Sequence, residues 1–125
     1  MNGLLIVMLS FVGSSLLIIG LAIPLCLRRV GPNSYYGFRT RQNLSDEEIW
    51  FATNAVCGQW LLVMGGLTLV AAVGGWLGGL NAGELSVAGT IAMLIGALFC
   101  TIHPLLVQRR MITDREFQDE SRDSP

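Results

Sequence analysis

Few side chains in this sequence could do chemistry, and they fall into three sets. His103 is the single histidine, beside Pro104 in a long apolar run. Cys26, Cys57 and Cys100 are the three cysteines. The third set lies in GPNSYYGFRTRQNLSDEEIW, Gly31–Trp50, which holds Arg39, Arg41, Asp46, Glu47 and Glu48. An intramembrane histidine can relay protons or line an ion path, but a relay needs several such groups. Local hydrogen bonding is the favoured role for His103, because Pro104 deprives the Cys100 carbonyl of its helical donor. The cysteines match neither a zinc spacing nor a CxxC pattern. Cys26 is expected near the headgroups and Cys100 roughly two turns deeper than Arg109, so no metal site with His103 is expected. No Ser/His/Asp arrangement, HExxH, Walker loop or dinucleotide fingerprint is present. The sequence therefore argues against an enzyme, a cofactor or a metal.

The elements that must position these groups are apolar. Of 125 residues, 52% are hydrophobic and 14% charged, against about a quarter charged in soluble domains. Gly3–Leu27, Ile49–Gly83 and Leu85–Gln108 carry no charge at all. Runs of about 18 or more apolar residues can cross a bilayer as helices. The fold expected is all-α and integral to the membrane, with spans near Leu4–Leu27, Gly58–Leu80 and Leu85–Val107. The first run lacks a basic n-region and exceeds an h-region, so it reads as a retained helix rather than a signal peptide. Residues 1–112 form one membrane domain in this reading, and 113–125 a disordered, acidic tail.

All basic residues are arginines, in two clusters. Arg28, Arg29, Arg39 and Arg41 lie between spans one and two; Arg109, Arg110, Arg115 and Arg122 follow span three. Three spans bring both clusters to one side, which places the N-terminus outside and the C-terminus inside. That side is where disulfides are rare. A net charge of -1 does not suggest nucleic acid as a partner.

Between the first two spans, Gly31-Pro32-Asn33-Ser34 is turn chemistry and Gly37 a second special backbone position. Ser45 and Glu48 match a capping box, so a helix starts near Asp46, with its acids suited to the helix dipole. This short helix either lies in the interface or runs into span two. Trp50, Asn54 and Gly58 share one face at four-residue spacing. Arg39 is expected to pair with Glu47 or Glu48. Gly74/Gly78 and Gly75/Gly79 are overlapping GxxxG pairs, and Ala88, Ala92, Gly96 and Cys100 form a small stripe. These predict close packing of spans two and three, with homo-oligomerisation as the alternative use.

The residues Pro32-Asn33, Tyr36-Gly37-Phe38-Arg39-Thr40, Leu44, Glu48, Trp50, Asn54 and Gly58 together resemble the ordered motif of the SdpI family of bacterial membrane immunity proteins. Arg41 departs from the pattern, where proline is common, as does Ala55, where a basic residue often follows the asparagine. The chain resembles the minimal unit of larger members that carry additional helices. The resemblance implies a cytoplasmic-membrane protein protecting against a secreted antimicrobial peptide, in some members also signalling through a membrane-held repressor. The partners it implies, besides the lipid bilayer, are a toxin peptide or a cytoplasmic regulator. A structural or assembly subunit of a larger complex, homo- or hetero-oligomeric, is the alternative reading. A small transporter rests on His103 alone.

Overall fold

A computed structural model describes residues 3–123. The described residues are helical and connecting segments only: α1 (Gly3–Cys26), α2 (Arg41–Leu44), α3 (Glu47–Leu77) and α4 (Ala82–Asp123). Three of these, α1, α3 and α4, are long and apolar enough to cross a membrane. The chain is a multi-pass membrane protein. The bundle centres on α3, which packs along both α1 and α4, while α1 and α4 touch over a shorter stretch.

Close approach occurs where side chains vanish. A Cβ on Gly58 would stand 2.8 Å from the backbone nitrogen of Cys26, and one on Gly65 2.7 Å from Ile19. These two glycines seat α3 against α1, whose buried residues Ser15 and Ala22 are also small. Gly96 lies against Met64, where a Cβ would come within 2.3 Å, and this is the tight point between α3 and α4. Ala88 and Ala92 are half-buried on the same helix. Gly89, not foreseen as a packing residue, meets Phe11 of α1.

The overlapping GxxxG pairs do something else. Gly74 meets no atom within 4 Å, and Gly78 and Gly79 are exposed. Gly79 takes φ 80°, its amide bonds to Trp76 O, and the Leu80 amide bonds to Gly75 O. This is a Schellman stop, in which a left-handed residue closes the helix and satisfies its last carbonyls. Leu80 covers Gly75, where it would meet any Cβ at 2.9 Å. Of the four, Gly75 alone faces packed side chains, Leu85 of α4 standing 2.7 Å from where its Cβ would be, so it keeps a place in the α3–α4 seam while Gly78 and Gly79 serve to end α3. Asn81 then starts α4: it accepts from the amides of Gly83 and Glu84, while Glu84 accepts from the Asn81 amide, a reciprocal capping box.

One open choice is decided and one boundary differs from expectation. The helix that starts at Glu47 runs into span two, because α3 is unbroken through the span. The residues of the tail up to Asp123 continue α4 instead of lacking order. No glycine or proline interrupts Gln108–Asp123, and extending an existing helix is cheap compared with nucleating one. At 1.5 Å per residue α4 is about 63 Å long, so it extends well beyond a hydrocarbon core of about 30 Å.

Candidate functional site

The residues of the sequence motif converge at the end of the bundle where α1 stops, α3 starts and α4 leaves the membrane. The chain exits α1 through a second Schellman turn with Arg28 in the left-handed region, φ 54°. The Arg28 amide bonds to Leu25 O and the Arg29 amide to Pro24 O. Trp50, wholly buried, donates from its indole nitrogen to Val30 O at 2.7 Å. That contact ties the exit of α1 to the first turns of α3. Asn33 then folds the next turn, accepting from the amides of Tyr35 (2.9 Å) and Tyr36 (2.8 Å).

The centre of the site is the backbone of Phe38. Asn54 accepts from the Phe38 amide at 2.7 Å and donates to its carbonyl at 3.1 Å. A side-chain amide here replaces the pairing a neighbouring strand would give. The same carbonyl accepts from Asn43 at 2.6 Å, and Asn43 also donates to Thr53. Gly37 makes this approach possible. Its φ is 106°, and a Cβ would lie 2.3 Å from the Asn54 side-chain oxygen. Thr40 and Asn43 cap α2 reciprocally: the Thr40 hydroxyl accepts from the Asn43 amide, and the Asn43 oxygen accepts from the Thr40 amide. The Thr40 hydroxyl donates in turn to Gln108 of α4 at 2.7 Å, and Gln108 donates to Gln42. The buried polar groups Asn43, Thr53, Asn54 and Gln108 thus form one satisfied network joining loop, α3 and α4. Such networks rigidify when every member is partnered.

Several assignments change. Ser45 does not cap α3; its hydroxyl donates to Gln42 O at the end of α2. Asp46 is the cap and accepts from the amides of Glu48 and Ile49. One residue decides this, because Asp46 holds the extended backbone that a cap requires. Arg39 does not reach Glu47 or Glu48; it donates to Ser34 O within its own loop. The acids are instead met by Arg115 of α4, which contacts Asp46 and Glu48. Arg115, first by its hydrogen bond and then helped by the Ile49 amide, holds the Asp46 carboxyl below its usual value. A surface hollow of about 260 Å³ beside this clasp is lined by Glu48, Met111, Asp114, Arg115 and Gln118.

Of the motif residues, Asn33, Gly37, Phe38, Thr40, Trp50, Asn54 and Gly58 build this seat, and Glu48 joins the clasp. Pro32 and Leu44 face outward. Tyr36 is half-buried and its hydroxyl has no hydrogen-bond partner among the described residues; burial pushes its phenol above the usual value. Of the two departures from the motif, Arg41 is exposed and Ala55 buried. Sequence reasoning missed Asn43, Gln108 and Arg115. Thr40-x-x-Asn43 is itself a capping signal, and Gln108 is the last uncharged residue before Arg109-Arg110. Arg115 had no local signal.

The thiols of Cys57 and Cys100 lie 2.8 Å apart, a pairing across α3 and α4 that the sequence spacing did not signal. No group of three His, Cys, Asp or Glu residues among those described could hold a metal ion. His103 accepts at Nδ1 from the Trp60 indole at 2.7 Å instead of serving the freed Cys100 carbonyl.

Comparison with curated proteins and with solved structures returns no match. A family model described as the SdpI/YfhL protein family matches residues 29–108. That interval opens at the exit of α1 and closes on Gln108, the α4 residue to which Thr40 is bonded. The chain belongs to the SdpI/YfhL protein family.

Proposed function

We propose that this is a non-enzymatic immunity-type protein of the bacterial cytoplasmic membrane, with its N-terminus outside and its C-terminus inside. In this reading the segment Gly31–Leu44 is a preformed contact surface for a protein or peptide partner. One observation carries it: the motif's buried residues are occupied in fixing the loop, and side chains suited to recognition are left outside. Tyr35 is 93% exposed and Leu44 42%, and Arg39 and Arg41 are exposed beside them. Aromatic and arginine groups on a rigid frame are the usual anchors of an interface. On the inner side, the partner reached first is a cytoplasmic regulator; a toxin peptide reaches this surface only by entering the bilayer. Family membership supports the immunity role.

The test has two arms. Cells lacking the gene are challenged with membrane-active peptides produced by competing bacteria, and greater sensitivity is expected. The double variant Tyr35→Ala/Leu44→Ala, which leaves the seat intact, should reproduce that sensitivity and lose the partner in native-membrane co-purification. Unchanged sensitivity of the deletion strain across a broad panel refutes the immunity role. A fully protective double variant refutes the loop as the contact.

A further inference from the structure

Above the second arginine cluster, α4 presents a lipid-facing site that the motif does not touch. Trp60 of α3 stacks on Phe99 with ring centroids 4.6 Å apart. Its indole nitrogen, a donor only, points at His103 Nδ1 at 2.7 Å. Nδ1 is therefore the acceptor, and the ring's proton sits on Nε2. The stack and the hydrogen bond fix both the tautomer and the direction of that N–H. His103 is exposed on the lipid side of the helix, and among the described residues no acceptor serves Nε2. An unsatisfied donor costs several kcal/mol in a bilayer interior, so the acceptor must come from outside the chain.

A small crevice of about 50 Å³ runs from His103 past Leu106 and Val107 to Arg110. These positions form one face at helical spacing. Arg110 makes no ion pair among the described residues. It lies seven positions beyond His103, about 10 Å along the axis. One leaflet's share of the headgroup and interfacial layers is about 5–8 Å, less than this backbone separation, so the long Arg110 side chain leans back toward His103, the direction in which helical side chains point, for both to meet one headgroup.

We propose that His103 and Arg110 bind one anionic phospholipid, Arg110 on the phosphate and the His103 Nε2–H on an acyl ester carbonyl, with the chains along Leu106 and Phe99. Charge decides the headgroup. Arg109 adjoins Arg110, and Arg28 and Arg29 lie at the same end of the bundle, so a net negative lipid is favoured over a zwitterionic one.

Trp60 is a built-in reporter. The full chain is placed in nanodiscs of phosphatidylglycerol and phosphatidylethanolamine, with bromine on the acyl chains of one lipid only. Trp60 quenching is obtained by subtracting the signal of Trp60→Phe. Bromine on phosphatidylglycerol should quench as though that lipid were enriched about fivefold, the weight of one arginine at an anionic surface. Arg110→Gln should lower the enrichment about fivefold, His103→Leu should lower it by less, and Arg122→Gln should leave it unchanged. Quenching that follows bulk composition in the unaltered chain, or persists in Arg110→Gln, overturns the proposal. Loss of the enrichment in excess inorganic phosphate would assign the site to free phosphate and overturn the lipid assignment.

Discussion

Replacing Asn54 by alanine should release the loop from α3 while leaving the three spans in place. The side chain makes three hydrogen bonds, to Phe38 N, Phe38 O and Trp50 O. Trp50 O lies inside α3 and keeps its helical donor, so little is lost there. Phe38 O keeps Asn43, so that bond counts at its net value of about 0.5–1.5 kcal/mol. The Phe38 amide is left with no acceptor, at about 1–3 kcal/mol for a sheltered donor. The sum is about 1.5–4.5 kcal/mol, or an opening constant raised roughly 10- to 2,000-fold at 1.36 kcal/mol per decade. Hydrogen exchange in nanodiscs reads this directly, because local opening governs the protection of loop amides. Amides of Tyr36, Phe38 and Thr40 should exchange faster by that factor, and those in the membrane-buried turns of α3 should not change. Wild-type protection at Phe38 in Asn54→Ala would refute the claim that this asparagine holds the loop.

Gly58→Ala should force α1 and α3 apart at the Cys26 backbone and cost about 1–3 kcal/mol by overpacking, seen as a lower thermal midpoint. Gly74→Ala, in open space, should leave that midpoint unchanged or slightly raised. The clasp to Arg115 should be pH-dependent. The Asp46 carboxyl is held low in the folded chain, so its contribution is complete above the ordinary carboxylate range and fades as pH falls through the lowered folded value. Exchange of amides 111–120 should therefore rise on acidification below about pH 4, and Arg115→Gln should show the fast exchange already at neutral pH. Reporter fusions after Gly83 and after Arg110 should report opposite sides of the membrane; one side for both would refute the three-span topology.

The spans and the family motif were legible because both are local. Uninterrupted apolar runs predicted α1 and the membrane parts of α3 and α4, and ordered spacing from Pro32 to Gly58 marked the site. What the motif does was not legible, since Asn54 and Phe38 meet across sixteen residues and Thr40 and Gln108 across sixty-eight. Arg39 and Arg115 show the same limit. Both are arginines within reach of acids on paper, and only the lateral packing of α4 on α3 decides which pairs. The glycine run at 74–79 reads two ways because GxxxG and a Schellman stop share a composition; Gly75 packs on Leu85 of α4, while Gly78 and Gly79 end the helix. The left-handed Gly79, followed by an apolar Leu80, is the distinguishing sign. The charged tail misled because composition weighs residues in isolation, whereas Thr113–Asp123 inherit a helix already under way.

The continuity of α3 has a mechanical consequence. Its 31 residues make a rod of about 46 Å, with the loop seat and the acidic clasp bolted to one end and the Schellman turn at the other. A tilt of about 5° about its midpoint carries the seat sideways by about 2 Å, which follows from the half-length of such a rod. Hydrogen bonds tolerate only a few tenths of an ångström beyond their preferred range. If the proposed peptide partner leans on the far turn, it need not reach the loop seat to act on it; leverage alone would strain the Thr40–Gln108 and Arg115 contacts at the other end of α3.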